Sequence, residues 1–302
     1  MEDKRKRIQE LKKEKDAVLM AHYYVEPEVQ EVADYIGDSY YLAKQAAEVE
    51  AGTIVLCGVS FMGESAKILN EKKTVLLPDA LAGCPMAHMA DAERIRKVRE
   101  AYPSAAVVCY VNSTAELKRN ADVCVTSANA LKIVKALPNP VIYFIPDEHL
   151  GRFIAAQVPE KKFLFNEGFC PVHKAITAKD VLRAKEMHPD AQVLVHPECQ
   201  EEVTVLADYA GSTSGIIRYA CESSAQGFII CTELGVMYEL KRRNPQKRFY
   251  AVKEGQICEG MKRITLDKII RAMETGEPEV KLEESFLREA SAPLERMLQL
   301  AK

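Results

Sequence analysis

Gly83-Cys84-Pro85-Met86, Phe169-Cys170-Pro171-Val172 and Ile257-Cys258-Glu259-Gly260 are three short turns with one cysteine each, and their placement decides how the chain reads. His22 precedes Cys84 by 62 residues, Tyr110 precedes Cys170 by 60, and His196 precedes Cys258 by 62. Ser39, Ser127 and Thr213 each follow those three polar residues by 17. So many agreements mark one unit of about 86 residues written three times. The physical reading is three similar lobes, each offering one thiolate and one polar strand end to a shared centre.

Outward from each turn, apolar runs alternate with helical patterns. In the first unit Ala17 to His22 reads as a buried strand after a charged helix from about Lys4 to Lys15. Helix Tyr40 to Glu50, strand Thr53 to Val59, helix Gly63 to Asn70 and strand Thr74 to Pro78 then lead to Cys84. The second unit repeats this with strands Ala106 to Val111, Val123 to Val125, Val141 to Ile145 and Phe163 to Phe165. The third uses Gln192 to Val195, Gly227 to Cys231 and Arg248 to Val252. Alternation at these lengths predicts an α/β fold of three homologous αβα domains with short parallel sheets, in pseudo-threefold symmetry around a central active-site cavity. The expected boundaries are 1–89, 90–176 and 177–262, with C-terminal helices in 263–302 packing back on the body.

Bulk properties narrow the class. The 302 residues carry 41 basic and 44 acidic side chains, a net charge of -3 with no basic stripe, which argues against nucleic acid and anionic membranes. No apolar run approaches the roughly 20 residues of a membrane span, and the start lacks a signal-peptide core, so a cytoplasmic protein acting on small molecules is expected.

Nine cysteines need an explanation other than disulfides in a reducing compartment. Cys57, Cys109, Cys124 and Cys231 lie in apolar strands and read as small buried hydrophobes, and Cys199 and Cys221 read as structural. Cys84, Cys170 and Cys258 are different. They lack the close pairing of a structural zinc site, whereas three thiolates from three lobes suit a cubane [4Fe-4S] cluster with one iron left open as a Lewis acid. The alternatives are plain loop residues, a zinc-holding non-catalytic protein, or an aconitase-type hydro-lyase.

Ligands in parallel α/β sheets bind outside the carboxyl ends of strands, which puts His22, Tyr24, Tyr110, Asn112, His196 and Glu198 around the same space as the cysteines. Ser39, Ser127 and Thr213 stand at helix starts. There a hydroxyl ordinarily caps the helix, but a helix start at a strand-end crevice is also an anion site, so a substrate with several carboxylates or a phosphate is expected. The Tyr23-Tyr24 stretch and the loop before Cys258 are the candidate gates.

Taken together, Ala21-His22-Tyr23-Tyr24, Gly37-Asp38-Ser39, Tyr110-Val111-Asn112-Ser113-Thr114, Thr126-Ser127-Ala128-Asn129-Ala130, Cys170-Pro171-Val172-His173, His196-Pro197-Glu198-Cys199, Gly211-Ser212-Thr213-Ser214-Gly215 and Cys258-Glu259-Gly260-Met261-Lys262 resemble the quinolinate synthase family. The resemblance covers nearly the whole chain. It implies a transferase-class, iron-sulfur-dependent enzyme of NAD biosynthesis that condenses iminoaspartate with dihydroxyacetone phosphate, releasing phosphate and two waters. It also implies a [4Fe-4S] cluster on Cys84, Cys170 and Cys258, and substrate-binding positions at His22, Ser39, Tyr110, Val111, Asn112, Ser127, His196, Pro197, Glu198 and Thr213. Tyr24, Tyr110, His196 and Glu198 are the expected catalytic groups, and an aspartate oxidase or dehydrogenase the expected supplier of iminoaspartate.

Overall fold

The computed structural model describes residues 2–302. Strands β1 (Ala17–His22), β2 (Tyr35–Gly37), β3 (Thr53–Cys57) and β4 (Thr74–Leu76) form a parallel sheet in the order β2-β1-β3-β4. Strands β5 (Ala105–Tyr110), β6 (Val123–Val125), β7 (Val141–Ile145) and β8 (Lys162–Phe165) repeat that order as β6-β5-β7-β8. Strands β9 (Gln192–Val195), β10 (Tyr209–Ala210), β11 (Gly227–Cys231) and β12 (Arg248–Ala251) repeat it again as β10-β9-β11-β12. The α/β architecture of three αβα units is therefore as the spacing predicts.

Register repeats as well as order. Ala21 pairs with Cys57, Cys109 with Ile145, and Val195 with Cys231, so the next residues, His22, Tyr110 and His196, fall at one equivalent place in each unit. That place is the carboxyl end of the central strand, where the chain leaves for one side of the sheet and later returns on the other. Such a switch point leaves a crevice open.

A second device recurs that the spacing did not reveal. Asp34, Asp122 and Asp208 each accept a backbone N–H through the side chain, from Leu19, Val107 and Val193 at 2.8, 2.7 and 2.7 Å. Each also donates its own N–H to the carbonyl of that same residue at 2.9 Å. This two-way link joins the central strand to the start of β2, β6 and β10. It explains how β2 and β10, too short to show periodicity, still pair.

Side-chain alternation fills both faces of the sheets. In the third unit Val193, Val195, Ile229 and Cys231 enter a small core with Val181 and Ala184, while Leu194, Phe228 and Ile230 join the main core shared with the rest of the molecule. The strand expected over 53–59 ends at Cys57, because Ala21 is its last partner, and the following helix starts at Ser60 rather than Gly63. Helix Leu266–Thr275 packs on helix Glu2–Glu14, where Ile8 and Leu11 are fully buried. Helix Glu284–Leu300 lies across β6, helix Ala115–Arg119 and helix Ser60–Leu69, burying Leu287, Ala290, Leu294 and Met297. No helix among the described residues is long and apolar enough to cross a membrane.

Candidate active site

The strand ends of all three units open on one cavity of about 70 Å³. His22, Tyr24 and Ser39 line it from the first unit, Tyr110, Asn112 and Ser127 from the second, and His196, Glu198 and Thr213 from the third. Cys84, Cys170 and Cys258 complete the wall. None of the other six cysteines lines it. Val111 and Pro197 do not line it either, because side chains alternate along an extended chain and these two turn away between Tyr110 and Asn112 and between His196 and Glu198.

Capping does not occupy the three hydroxyls. Asp38 and Ser212 are the caps of helices Ser39–Glu48 and Thr213–Glu222, accepting from Tyr41 and Gly215 N–H at 3.0 and 3.1 Å. In the second unit the helix begins only at Ala130, and Ser127 Oγ instead meets His196 Nε2 at 3.2 Å. Ser39, Ser127 and Thr213 are thereby free to face the cavity.

Two histidines share one device. Tyr24 N–H donates to His22 Nδ1 at 3.2 Å, and Glu198 N–H donates to His196 Nδ1 at 3.3 Å. With Nδ1 accepting, each neutral ring carries its hydrogen on Nε2. Burial lowers the pKa of both to about 3, against which the nearby Glu198 charge pulls only partway back. Both are neutral N–H donors at physiological pH.

Three carboxylates line the cavity, Asp38, Glu198 and Glu233, and Glu198 is the one that joins the second and third units. It is 4% exposed; Tyr110 Oη donates to its Oε1 at 2.5 Å and His173 Nδ1 donates to its Oε2 at 2.7 Å. Burial opposes its charge, but His196, His173 and the Tyr110 hydroxyl more than offset that, holding the carboxyl below its usual range. Burial and the Glu198 charge in turn push both Tyr110 and Tyr24 well above the ordinary phenol value.

His173 and Thr232 are the functional residues that sequence reasoning missed. His173 breaks the repeat, since Ala87 and Met261 stand three residues after Cys84 and Cys258, and nothing in an apolar strand end signals Thr232. His173 Nε2 meets Thr232 Oγ1 at 2.8 Å, Thr232 Oγ1 meets Tyr24 Oη at 2.7 Å, and Tyr24 Oη meets Thr213 Oγ1 at 2.8 Å. A continuous chain of hydrogen bonds thus runs from Thr213 through Tyr24, Thr232 and His173 to Glu198 and Tyr110, crossing all three units.

The chain matches the family model described as quinolinate synthetase A protein over residues 6–299. It belongs to that family. It is 49% identical over 297 residues to the quinolinate synthase of Caldicellulosiruptor saccharolyticus, covering 98% of each chain. It is 48% identical over 295 residues to that of Clostridioides difficile, with 98% of this chain and 97% of the relative covered. The relative from Aquifex aeolicus is 46% identical over 301 residues, with 98% and 94% covered. Against that family background, the thiol environment is informative. Burial pushes Cys84 up to about 12, with Cys258 the next cause, and burial raises Cys170 and Cys258 as well, Cys84 adding to the effect at Cys170. Cys170 Sγ, His173 Nδ1 and a Glu198 oxygen also lie within 4.8 Å of one another, a set able to hold a metal ion.

Proposed function

We propose that this chain condenses iminoaspartate with dihydroxyacetone phosphate, releasing phosphate and two waters to form quinolinate, with Cys84, Cys170 and Cys258 holding a [4Fe-4S] cluster. The observation that carries it is the meeting of these three cysteines, far apart in sequence, on one cavity whose wall also carries His22, Ser39, Asn112, Ser127, His196 and Thr213 as hydrogen-bonding groups. Three thiols and no fourth suit a cubane. The turns also approach closely, since a Cβ on Gly260 would stand 2.3 Å from the Gly83 carbonyl oxygen. When bound, such a cluster offers one iron without a protein thiolate, able to draw off a hydroxyl as a Lewis acid.

Binding follows from the donors. His22 presents Nε2–H and Ser39 its hydroxyl to carboxylate or phosphate oxygens; His196 Nε2–H donates to Ser127 Oγ and so leaves the Ser127 hydroxyl as a further donor, while Thr213 donates to Tyr24 Oη. Asn112 Oδ1 is buried without a partner, which suits an imine or hydroxyl donor on the substrate.

Proton movement follows from the chain. Tyr24 Oη can take a proton from substrate while its own passes to Thr232 Oγ1 and that of Thr232 passes to His173 Nε2. The imidazolium so formed is stabilised by Glu198, and the reverse order returns the proton to a leaving oxygen. Tyr110, donating to the other Glu198 oxygen, orients that carboxylate. We extend the reading to a cytosolic, transferase-class enzyme fed by an aspartate oxidase or dehydrogenase.

Metal and sulfide analysis of anaerobically purified protein, beside a coupled quinolinate assay, tests this. The expected result is about four iron and four sulfide per chain, lost in Cys84→Ala together with turnover. Zinc without sulfide, or turnover of a citrate-like acid in place of dihydroxyacetone phosphate, overturns it.

A further inference from the structure

Glu233 and Lys262 form an ion pair beside the cavity to which neither the hydrogen-bond chain nor substrate binding assigns a role. Glu233 stands two residues beyond the end of β11, is fully buried, and lines the cavity wall. Its Oε1 accepts the Cys258 backbone N–H at 3.2 Å and meets Lys262 Nζ at 3.1 Å. Its Oε2 accepts the Gly235 N–H at 2.6 Å. Lys262 Nζ donates in turn to the Tyr24 carbonyl at 2.7 Å, across to the first unit.

The surrounding backbone leaves no slack. A Cβ on Gly235 would lie 2.6 Å from Tyr24 Cα, so the segment held by Glu233 presses directly on Tyr24. Gln30 Nε2 ties the same region together, donating to Tyr23, Val25 and Gly235 carbonyls at 3.0, 3.0 and 3.2 Å. Fold equivalence adds a parallel case. Asp147 stands two residues beyond the end of β7, the same place in the second unit; its side chain accepts the Leu150 N–H at 2.7 Å, and its backbone pairs in an isolated bridge with Gly168, two residues before Cys170. The first unit has Val59 at this position, and Val59 packs instead against Gly260 of the third turn.

We propose that Glu233 and Lys262 are positioning residues that fix the Cys258 turn and the Tyr24 backbone to one another, so that the sulfur ligand and the proton-transferring tyrosine hold register across two units. The inference rests on Cys258 being a cluster ligand. Gln256 also anchors the Cys258 turn, its Nε2 donating to the Ile230 and Thr232 carbonyls at 3.0 and 2.6 Å and its carbonyl accepting the Leu234 N–H at 2.9 Å. Those bonds stay within the third unit, and the pair of Glu233 and Lys262 is what carries the turn across to Tyr24.

The test uses anaerobically reconstituted full-length protein. Glu233→Gln, Lys262→Met, the double variant, Lys262→Arg and Cys258→Ala are compared by the rate of iron release to a chelator and by amide hydrogen exchange. The double variant removes both charges, so no uncompensated buried ion is left to unfold the protein. Either single variant and the double are expected to release iron about tenfold to a hundredfold faster, the factor that losing one charge-assisted hydrogen bond gives. Exchange should rise together over 255–262 and 24–26 while β5 and β7 stay protected, and Lys262→Arg should hold both near the parent. A merely structural pair would not couple those two segments. Parental iron release and parental exchange in the double variant overturn the proposal. Full iron and sulfide in Cys258→Ala overturn instead the cluster reading beneath it.

Discussion

Replacing Glu198 by Gln keeps the shape of the most central side chain and removes its charge. Both oxygens are engaged, by Tyr110 Oη at 2.5 Å and His173 Nδ1 at 2.7 Å, and the residue is 4% exposed. A glutamine must turn its NH2 toward one of these donors, so at least one charge-assisted hydrogen bond is lost, about 1.5–3 kcal/mol. That alone is about a tenfold to hundredfold effect, and losing the support of the His173 imidazolium brings it toward the ~10²–10⁴ typical of general acid–base catalysis. The expected outcome is a kcat lower by about a hundredfold or more, with unchanged iron and sulfide. The pH dependence gives a second reading. A carboxyl whose folded pKa is lowered contributes stability that is present above the unfolded value of about 4.3 and is lost as pH falls through the folded one. In denaturant melts the stability gap between parent and variant should therefore narrow below that pH. A Glu198→Gln protein with turnover within about twofold of the parent would refute the assignment.

Thr232→Val keeps the volume and cuts the link between Tyr24 and His173, so kcat should fall by about tenfold or more with KM little changed, measured under saturating substrates. His196→Gln should flatten the acid limb of stability. The parent ring titrates at about 3 folded and 6.5 unfolded, so its neutral burial costs stability as pH falls across that window, which chemical denaturation of the metal-free protein reads directly. Gly260→Ala puts a methyl group 2.3 Å from the Gly83 carbonyl and should force the first and third cysteine turns apart. About 1–3 kcal/mol of overpacking strain and slower cluster reconstitution, followed by absorbance, are expected.

Much of the molecule is legible before any coordinates, because a repeated unit states its own organisation. The beat from His22, Tyr110 and His196 to the cysteines announces three parallel sheets, and the rule that ligands sit at strand ends places nine polar side chains and three thiols at one centre. The choice between capping and facing the crevice at Ser39 and Thr213 needed coordinates, since sequence cannot say which of two adjacent polar residues, Asp38 or Ser39, Ser212 or Thr213, turns toward the helix amides.

What the residue order determined on its own is what is periodic: the units, every strand but β2 and β10, the strand-end positions and the cysteine turns, because spacing along a chain is conserved when the unit is copied. What only the tertiary structure decided is what happens between copies. His173 and Thr232 come from different units, as do Lys262 and Tyr24, and each pair is joined by a contact of less than 3 Å that no periodicity encodes. Such contacts depend on how three finished sheets are oriented against one another, and that orientation is settled by packing rather than by local sequence pattern.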